Sequence, residues 1–119
     1  MIRTSIITVV KDDAPGLLNT FNSIQQQNFF DWEMIIVVAQ SLDETLVLAK
    51  SLSIKEPRIT VIYQDGYGIY TAMNEGLAVS KGEFVWFLNA GDIFTNPYTL
   101  KHAVSQITSE NAHLSLIHI

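Results

Sequence analysis

Cysteine is absent from the 119 residues. That excludes a disulfide framework, a thiol nucleophile and any thiolate metal site, and it suits a reducing compartment. Positive charge is scarce: seven Lys+Arg stand against twelve Asp+Glu, a formal charge of −5, and no basic run occurs. Phosphate backbones are held by clustered cations, so the balance argues against a nucleic-acid partner. No apolar run approaches the ~18 residues that would span a bilayer. Met1 leads almost directly into a strand-like run, with no signal-peptide pattern between. Charged residues make up only 16% and apolar residues 48%, which supplies a core and carries no signature of disorder. The length suits one domain.

Familiar catalytic signatures are missing as well. A dinucleotide fingerprint needs G-x-G-x-x-G straight after the first strand; the only G-x-G is Gly66-Tyr67-Gly68, with Thr71 where the last glycine belongs. There is no Walker A loop and no G-x-S-x-G elbow. His102, His113 and His118 lack zinc-site spacing. Asp12 and Asp13 are adjacent and leave a strand in different directions, so a carboxylate pair is a poorer account of Asp13 than a helix cap.

What is present is alternation. Four apolar runs, Ser5 to Val10, Glu33 to Val38, Arg58 to Tyr63 and Glu83 to Leu88, are rich in β-branched or aromatic residues and nearly continuous. Such runs predict strands covered on both faces, as in a parallel sheet. Helices are predicted between them. Asp13 caps the first, with Pro15 in its opening turn and Leu17, Phe21 and Ile24 as a buried stripe. Ser41 and Glu44 have capping-box spacing for the second, which repeats Leu42, Leu46 and Ala49. The third places Ile69, Met73 and Leu77 on one inward face, with Lys81 in its last turn and Gly82 past its end. The fourth starts at Asn96-Pro97 and carries Leu100, Val104 and Ile107.

This pattern is an α/β fold, a Rossmann-like parallel sheet with flanking helices and right-handed crossovers. All strand C-termini then share one edge, where such sheets bind ligands. The residues delivered there are Lys11-Asp12-Asp13, Ala39-Gln40-Ser41, Gln64 to Gly68, and Asn89-Ala90-Gly91-Asp92.

Two segments are more specific: Gly68-Ile69-Tyr70-Thr71-Ala72-Met73-Asn74-Glu75-Gly76 and Phe87-Leu88-Asn89-Ala90-Gly91-Asp92. With them, the chain resembles family 2 glycosyltransferases of the GT-A fold, in particular the bacterial branch that builds O-antigen, capsule and exopolysaccharide. Members of that branch typically read GIYDAMNKG, an A-x-G-E stretch and FLN-[SA]-[GD]-D. The Ser5 to Val10 run and Ser41-Leu42-Asp43-Glu44-Thr45 match the family's SIITVV and S-x-D-G-T. The likeness runs from about Ser5 to Pro97.

The resemblance implies a glycosyltransferase that moves a sugar from a nucleotide-diphospho-sugar to a glycan or lipid-linked acceptor in surface polysaccharide synthesis. Its location would be cytoplasmic, or peripheral at the inner membrane. It implies that residues 1–113 form the donor-binding part, truncated and inactive alone, since none of the residues offers a general base for the acceptor hydroxyl. The implied nucleotide-sugar contacts are Thr8, Val10, Lys11, Ala39, Gln40, Asp65, Gly68, Tyr70, Asn74, Asn89 and Ala90. Asp92 is the implied ligand of Mg or Mn, a hard cation that wants carboxylate oxygen and keeps several waters. Tyr70 and Asn74 stand one helical turn apart, able to look toward the sheet edge, and Gly68 and Gly76 would let backbone approach the ligand.

Three positions depart from the family pattern. Val38 stands where a base-reading aspartate ends the second strand, Asp65 lies one residue upstream of its expected place, and Thr71 replaces the aspartate of GIYDAMN. These departures keep open a non-catalytic nucleotide-binding or scaffolding domain of the same fold. Residues 114–119, Leu114-Ser115-Leu116-Ile117-His118-Ile119, resemble the translation of a transposase end used in preparing sequencing libraries, which implies a non-native tail; the start of a fifth strand is the alternative.

Overall fold

The computed structural model describes residues 4–39, 44–109 and 116–118. Strands and helices alternate: β1 (Thr4–Val10), α1 (Ala14–Gln25), β2 (Trp32–Val38), α2 (Glu44–Lys55), β3 (Ile59–Tyr63), α3 (Ile69–Val79), β4 (Phe84–Phe87), α4 (Thr99–Ser109) and β5 (Leu116–His118). They form one sheet in the order β3-β2-β1-β4-β5, every pair parallel.

All seven residues of β1 and of β2 are buried, as continuous apolar runs require when both sheet faces are covered. Their alternate side chains divide the core. Ile6 and Val10 pack with Leu17, Phe21 and Ile24 of α1, Ala49 and Leu52 of α2 and Leu100 of α4. Ile7 and Val9 pack on the other face with Ala72 and Met73 of α3. β3 departs from the expected two-sided cover: it ends the strand order, and it grades from a buried Ile59 to an exposed Tyr63.

α1 forms as its sequence predicts. Asp13 is the N-cap, its Oδ1 accepting from the Gly16 N–H at 3.0 Å, and Pro15 sits in the first turn where its missing N–H is harmless. In α2, Ala49 is buried and Leu46 half-buried; Ser41 and Leu42 lie outside the described residues. α4 begins at Thr99 rather than at Asn96-Pro97, because Asn96 makes a turn first. Its Oδ1 accepts from the Tyr98 N–H and its carbonyl from the Thr99 N–H. Leu100 and Val104 are buried as expected, and the Ile107 side chain lies outside the described residues.

α3 corrects the reading of its faces. Ile69 is 46% and Leu77 39% exposed, whereas Ala72 and Gly76 are the buried residues. The sheet presents Ile7 and Val37 to this helix. A Cβ on Gly76 would stand 2.6 Å from Ile7 Cγ2 and 3.1 Å from Val37 Cγ2, so only small residues let the helix seat. Gly76 therefore serves helix–sheet packing and not ligand approach. The helix ends at Val79, with Ser80 already extended, which leaves Lys81 beyond its last turn.

Candidate functional site

The strand order reverses between β1 and β4, and ligands of open α/β sheets bind where that reversal opens a crevice at the strand C-termini. The β1 end turns sharply into the α1 cap through Asp12, whose φ of 47° lies in the left-handed region that Asp tolerates better than most residues. Beside it the β4 ladder continues past Phe87. Leu88 N–H donates to the Ile7 carbonyl and Ala90 N–H to the Val9 carbonyl, each at 3.0 Å. Asn89 and Ala90 are thus carried on the end of β1.

On the α3 side of this edge lies a cavity of about 290 Å³ lined by Val9, Lys11, Ala39, Gln64, Gly66, Tyr67, Gly68 and Ile69. Its outer wall is the 64–68 loop, held at both ends. The buried Gln64 donates from Nε2 to the Gly68 carbonyl at 2.9 Å. Glu75, reaching back from α3, accepts from the Asp65 N–H at 2.8 Å and the Gly66 N–H at 3.1 Å. Gly68 adopts φ 85°, a conformation a side chain would strain, and so lets the loop turn directly into α3. Tyr67 and Tyr70 are each 79% exposed at this end of α3, offering flat amphipathic faces to a ring or a sugar.

Across β1 stands the Asn89–Asp92 turn. The Asp92 N–H donates to the Asn89 carbonyl at 2.9 Å, Gly91 adopts φ 97°, and Asp92 is exposed. Asn89 Oδ1 is buried and has no hydrogen-bond partner. Among the described residues no three His, Cys, Asp or Glu side chains gather to enclose a metal. A hard cation that takes most of its oxygens from phosphate and water needs only one or two from protein. The Asp92 carboxylate and the orphaned Asn89 oxygen fit that requirement.

Of the residues expected at the site, Lys11, Ala39 and Gly68 line the cavity. Asp65, Tyr70 and Asn74 are exposed on the adjoining loop and helix, and Asn89, Ala90 and Asp92 form the turn across β1. Thr8 and Val10 share the face of Ile6, turned toward α1 and away from the cavity; Val9 is the β1 side chain that lines it. Gln40 lies outside the described residues. Gln64 and Tyr67 fall within the Gln64 to Gly68 segment expected at this edge, but their particular roles, and that of Glu75, escaped the sequence reading. A polar residue ending an apolar strand was the available signal for Gln64, whereas nothing local marked Glu75 as the partner of a loop ten positions back.

The family model described as Glycosyl transferase family 2 matches residues 5–119. An uncharacterized glycosyltransferase of Mycobacterium tuberculosis is 32% identical over 109 residues, 89% of this chain and 40% of that protein. A PGL/p-HBAD biosynthesis glycosyltransferase of Mycobacterium bovis is 32% identical over 104 residues, 87% of this chain and 41% of that protein. The chain therefore spans about two fifths of the curated relatives it matches. Among solved structures, the mannosyltransferase PcManGT from Pyrobaculum calidifontis, in complex with GDP-Man and Mn2+, superposes with a TM-score of 0.80 at 23% identity. That match covers 88% of this chain and 32% of the other. S. aureus TarS 1–349 in complex with UDP-GlcNAc gives a TM-score of 0.80 at 25% identity, covering 92% and 32%. The expected fold is borne out: these neighbours are GT-A glycosyltransferases, of which the chain covers a part.

Proposed function

We propose, since the chain belongs to glycosyl transferase family 2, that it is the donor-binding half of an enzyme that transfers sugar from a nucleotide-diphospho-sugar. The observation that carries this reading is one sheet edge bearing both a cavity and an acidic turn, joined where Ala90 N–H meets the Val9 carbonyl. The cavity would take the nucleoside, with Ala39 and Val9 as its floor and Tyr67 at its rim. Lys11, the cation on its wall, would attract the diphosphate as it crosses the end of β1 toward Asp92. Asp92, with Asn89 beside it, would hold Mg or Mn, which when bound neutralises charge on the departing nucleoside diphosphate. Relatives of this fold are solved with GDP-Man and Mn2+ and with UDP-GlcNAc, which supports a nucleotide sugar as the ligand.

The acceptor subsite and the general base belong, in this reading, to the part of the family fold that these residues do not span. The acceptor is a glycan or lipid-linked sugar of surface polysaccharide, and the site of action the cytoplasm or the inner face of the membrane. Among the described residues no helix is long and apolar enough to cross a membrane.

A second reading, a nucleotide-binding or scaffolding domain that performs no transfer, has one specific observation in its favour. Val38, at the end of β2, is fully buried where the family commonly places a carboxylate. Calorimetry with UDP-, GDP- and dTDP-sugars, with and without Mn2+, separates the two. We expect one nucleotide sugar to bind in a Mn2+-dependent manner, and Asp92→Asn to abolish that metal-dependent binding with the fold intact, because a hard cation loses its carboxylate. Metal-independent binding, unchanged in Asp92→Asn, would favour the second reading and defeat the assignment of Asp92.

A further inference from the structure

The connection from β4 to α4 has no regular structure, yet its backbone groups meet a row of side chains from α1. Thr20 donates its hydroxyl proton to the Asp92 carbonyl at 2.7 Å, and its oxygen accepts from the Gly91 N–H at 3.0 Å. One turn further, Ser23 accepts from the Phe94 N–H at 3.1 Å and donates to the Thr20 carbonyl at 2.8 Å. Gln27, just beyond the helix, donates to the Asn96 carbonyl at 2.7 Å and accepts from the Leu100 N–H at 3.0 Å. The three residues are 0%, 7% and 3% exposed. Buried polar side chains persist only when satisfied, and an irregular backbone folded inward needs partners from elsewhere; each solves the other's problem.

Thr20 holds a particular place in this row. Its two bonds fall on the peptide groups either side of the Gly91-Asp92 dipeptide, and the Asp92 N–H between them is held by the Asn89 carbonyl. Three consecutive peptide planes are thereby oriented, the first of them also by the Gly91 N–H shared with the Gly16 carbonyl at 3.2 Å, and with them the direction in which Asp92 leaves the chain. Gly91, at φ 97°, supplies the turn but no stiffness of its own. Ser23 and Gln27 anchor the same segment further along and touch neither residue.

We infer that Thr20 is the positioning residue of the cation site: a buried hydroxyl on α1 that aims the Asp92 carboxylate. This rests on the reading of Asp92 as the carboxylate that holds Mg or Mn. Partners that orient a metal ligand typically change metal affinity about 10- to 100-fold when removed.

The test titrates Mn2+ into the chain with UDP or GDP, followed by calorimetry and by the electron paramagnetic resonance of Mn2+. Metal-free nucleotide binding and the melting temperature are measured alongside. Thr20→Val, nearly isosteric but without the hydroxyl, should weaken Mn2+ binding about 10-fold or more while metal-free nucleotide affinity stays within about twofold. Thr20→Ser, which restores the hydroxyl, should return Mn2+ affinity to the parent's. Ser23→Ala should lower the melting temperature without the selective loss of Mn2+. If Thr20→Val does not fold, Thr20→Ala, which leaves room for water on the two backbone groups, takes its place. Parent-like Mn2+ binding in Thr20→Val, or a loss shared equally by metal-free binding, would overturn the inference. If the parent shows no Mn2+ dependence, or Asp92→Asn behaves like the parent, the reading of Asp92 itself has failed and the inference falls with it.

Discussion

Replacing Gly76 by alanine sets two known effects against each other at a position where the structure decides the winner. In the middle of a helix, Gly→Ala normally stabilises by about 1 kcal/mol, because glycine surrenders more backbone freedom on folding. Here the added Cβ would meet Ile7 Cγ2 at 2.6 Å and Val37 Cγ2 at 3.1 Å. Neither neighbour can yield. Both are fully buried, both are β-branched and stiff at χ1, and both belong to interior strands of the sheet, β1 and β2. The helix must therefore lift by most of an ångström, and overpacking of that kind costs about 1–3 kcal/mol. With the clash near the top of that range, the net effect is a loss of about 1–2 kcal/mol, or a fall of about 4–8 °C in melting temperature. Thermal unfolding followed by circular dichroism, repeated in urea at constant temperature, measures it. Because α3 also carries Ile69 of the cavity wall, nucleotide affinity should fall with stability. An alanine variant as stable as the parent, or more so, would refute the packing assigned to α3.

Two further predictions concern polar groups, one buried and one a half-buried ion pair. Thr8 Oγ1 is buried without a hydrogen-bond partner; Thr8→Val keeps the shape, removes the unsatisfied hydroxyl and should stabilise the fold by about 1 kcal/mol. A lower melting temperature would count against that account. The second concerns acid. Arg58 grips Glu56 with two parallel bonds, Nε to Oε2 at 2.8 Å and Nη2 to Oε1 at 2.9 Å, while lying over the Trp32 ring at 3.7 Å. The hydrogen bond from Arg58 holds the Glu56 carboxyl below its usual 4.5, and that from Glu56 raises the guanidinium above its ordinary value. A carboxyl lowered in the folded state contributes stability that is present above its unfolded value. That contribution disappears as pH falls through the folded value. Glu56→Gln should therefore narrow the gap in urea stability between neutral pH and pH well below 4.5; an unchanged gap would show that the pair contributes nothing measurable.

Much of the chain was legible because its signals are local. β-branched runs mark strands, and Asp13 with Pro15 marks the start of α1, since a cap and a missing N–H act within one turn. The Asn89–Asp92 turn and the segment from Gly68 to Gly76 stood out through their likeness to the family's motifs. The faces of α3 did not, because apolarity shows which residues could be buried and not which ones the neighbouring surface admits. Ile69 and Leu77 are apolar, but it is Ala72 and Gly76 that are buried, and at Gly76 the Ile7 and Val37 side chains leave no room for a Cβ.

The candidate site divides along the same line. The sequence by itself determined the order of elements, the parallel sheet, and hence that four strand ends would share an edge, since each depends on propensity, capping and the handedness of crossovers. Only the tertiary structure decided which β1 side chain, Val9 rather than Val10, faces the cavity. The choice depends on which side of the sheet α3 takes as the chain crosses from β3 to β4. Only the tertiary structure, too, brought Thr20 to Asp92 across 72 positions. A buried threonine in an apolar stripe announces that it needs a partner. Which partner it finds is settled by the packing of α1 against the end of β4, and no local rule encodes that.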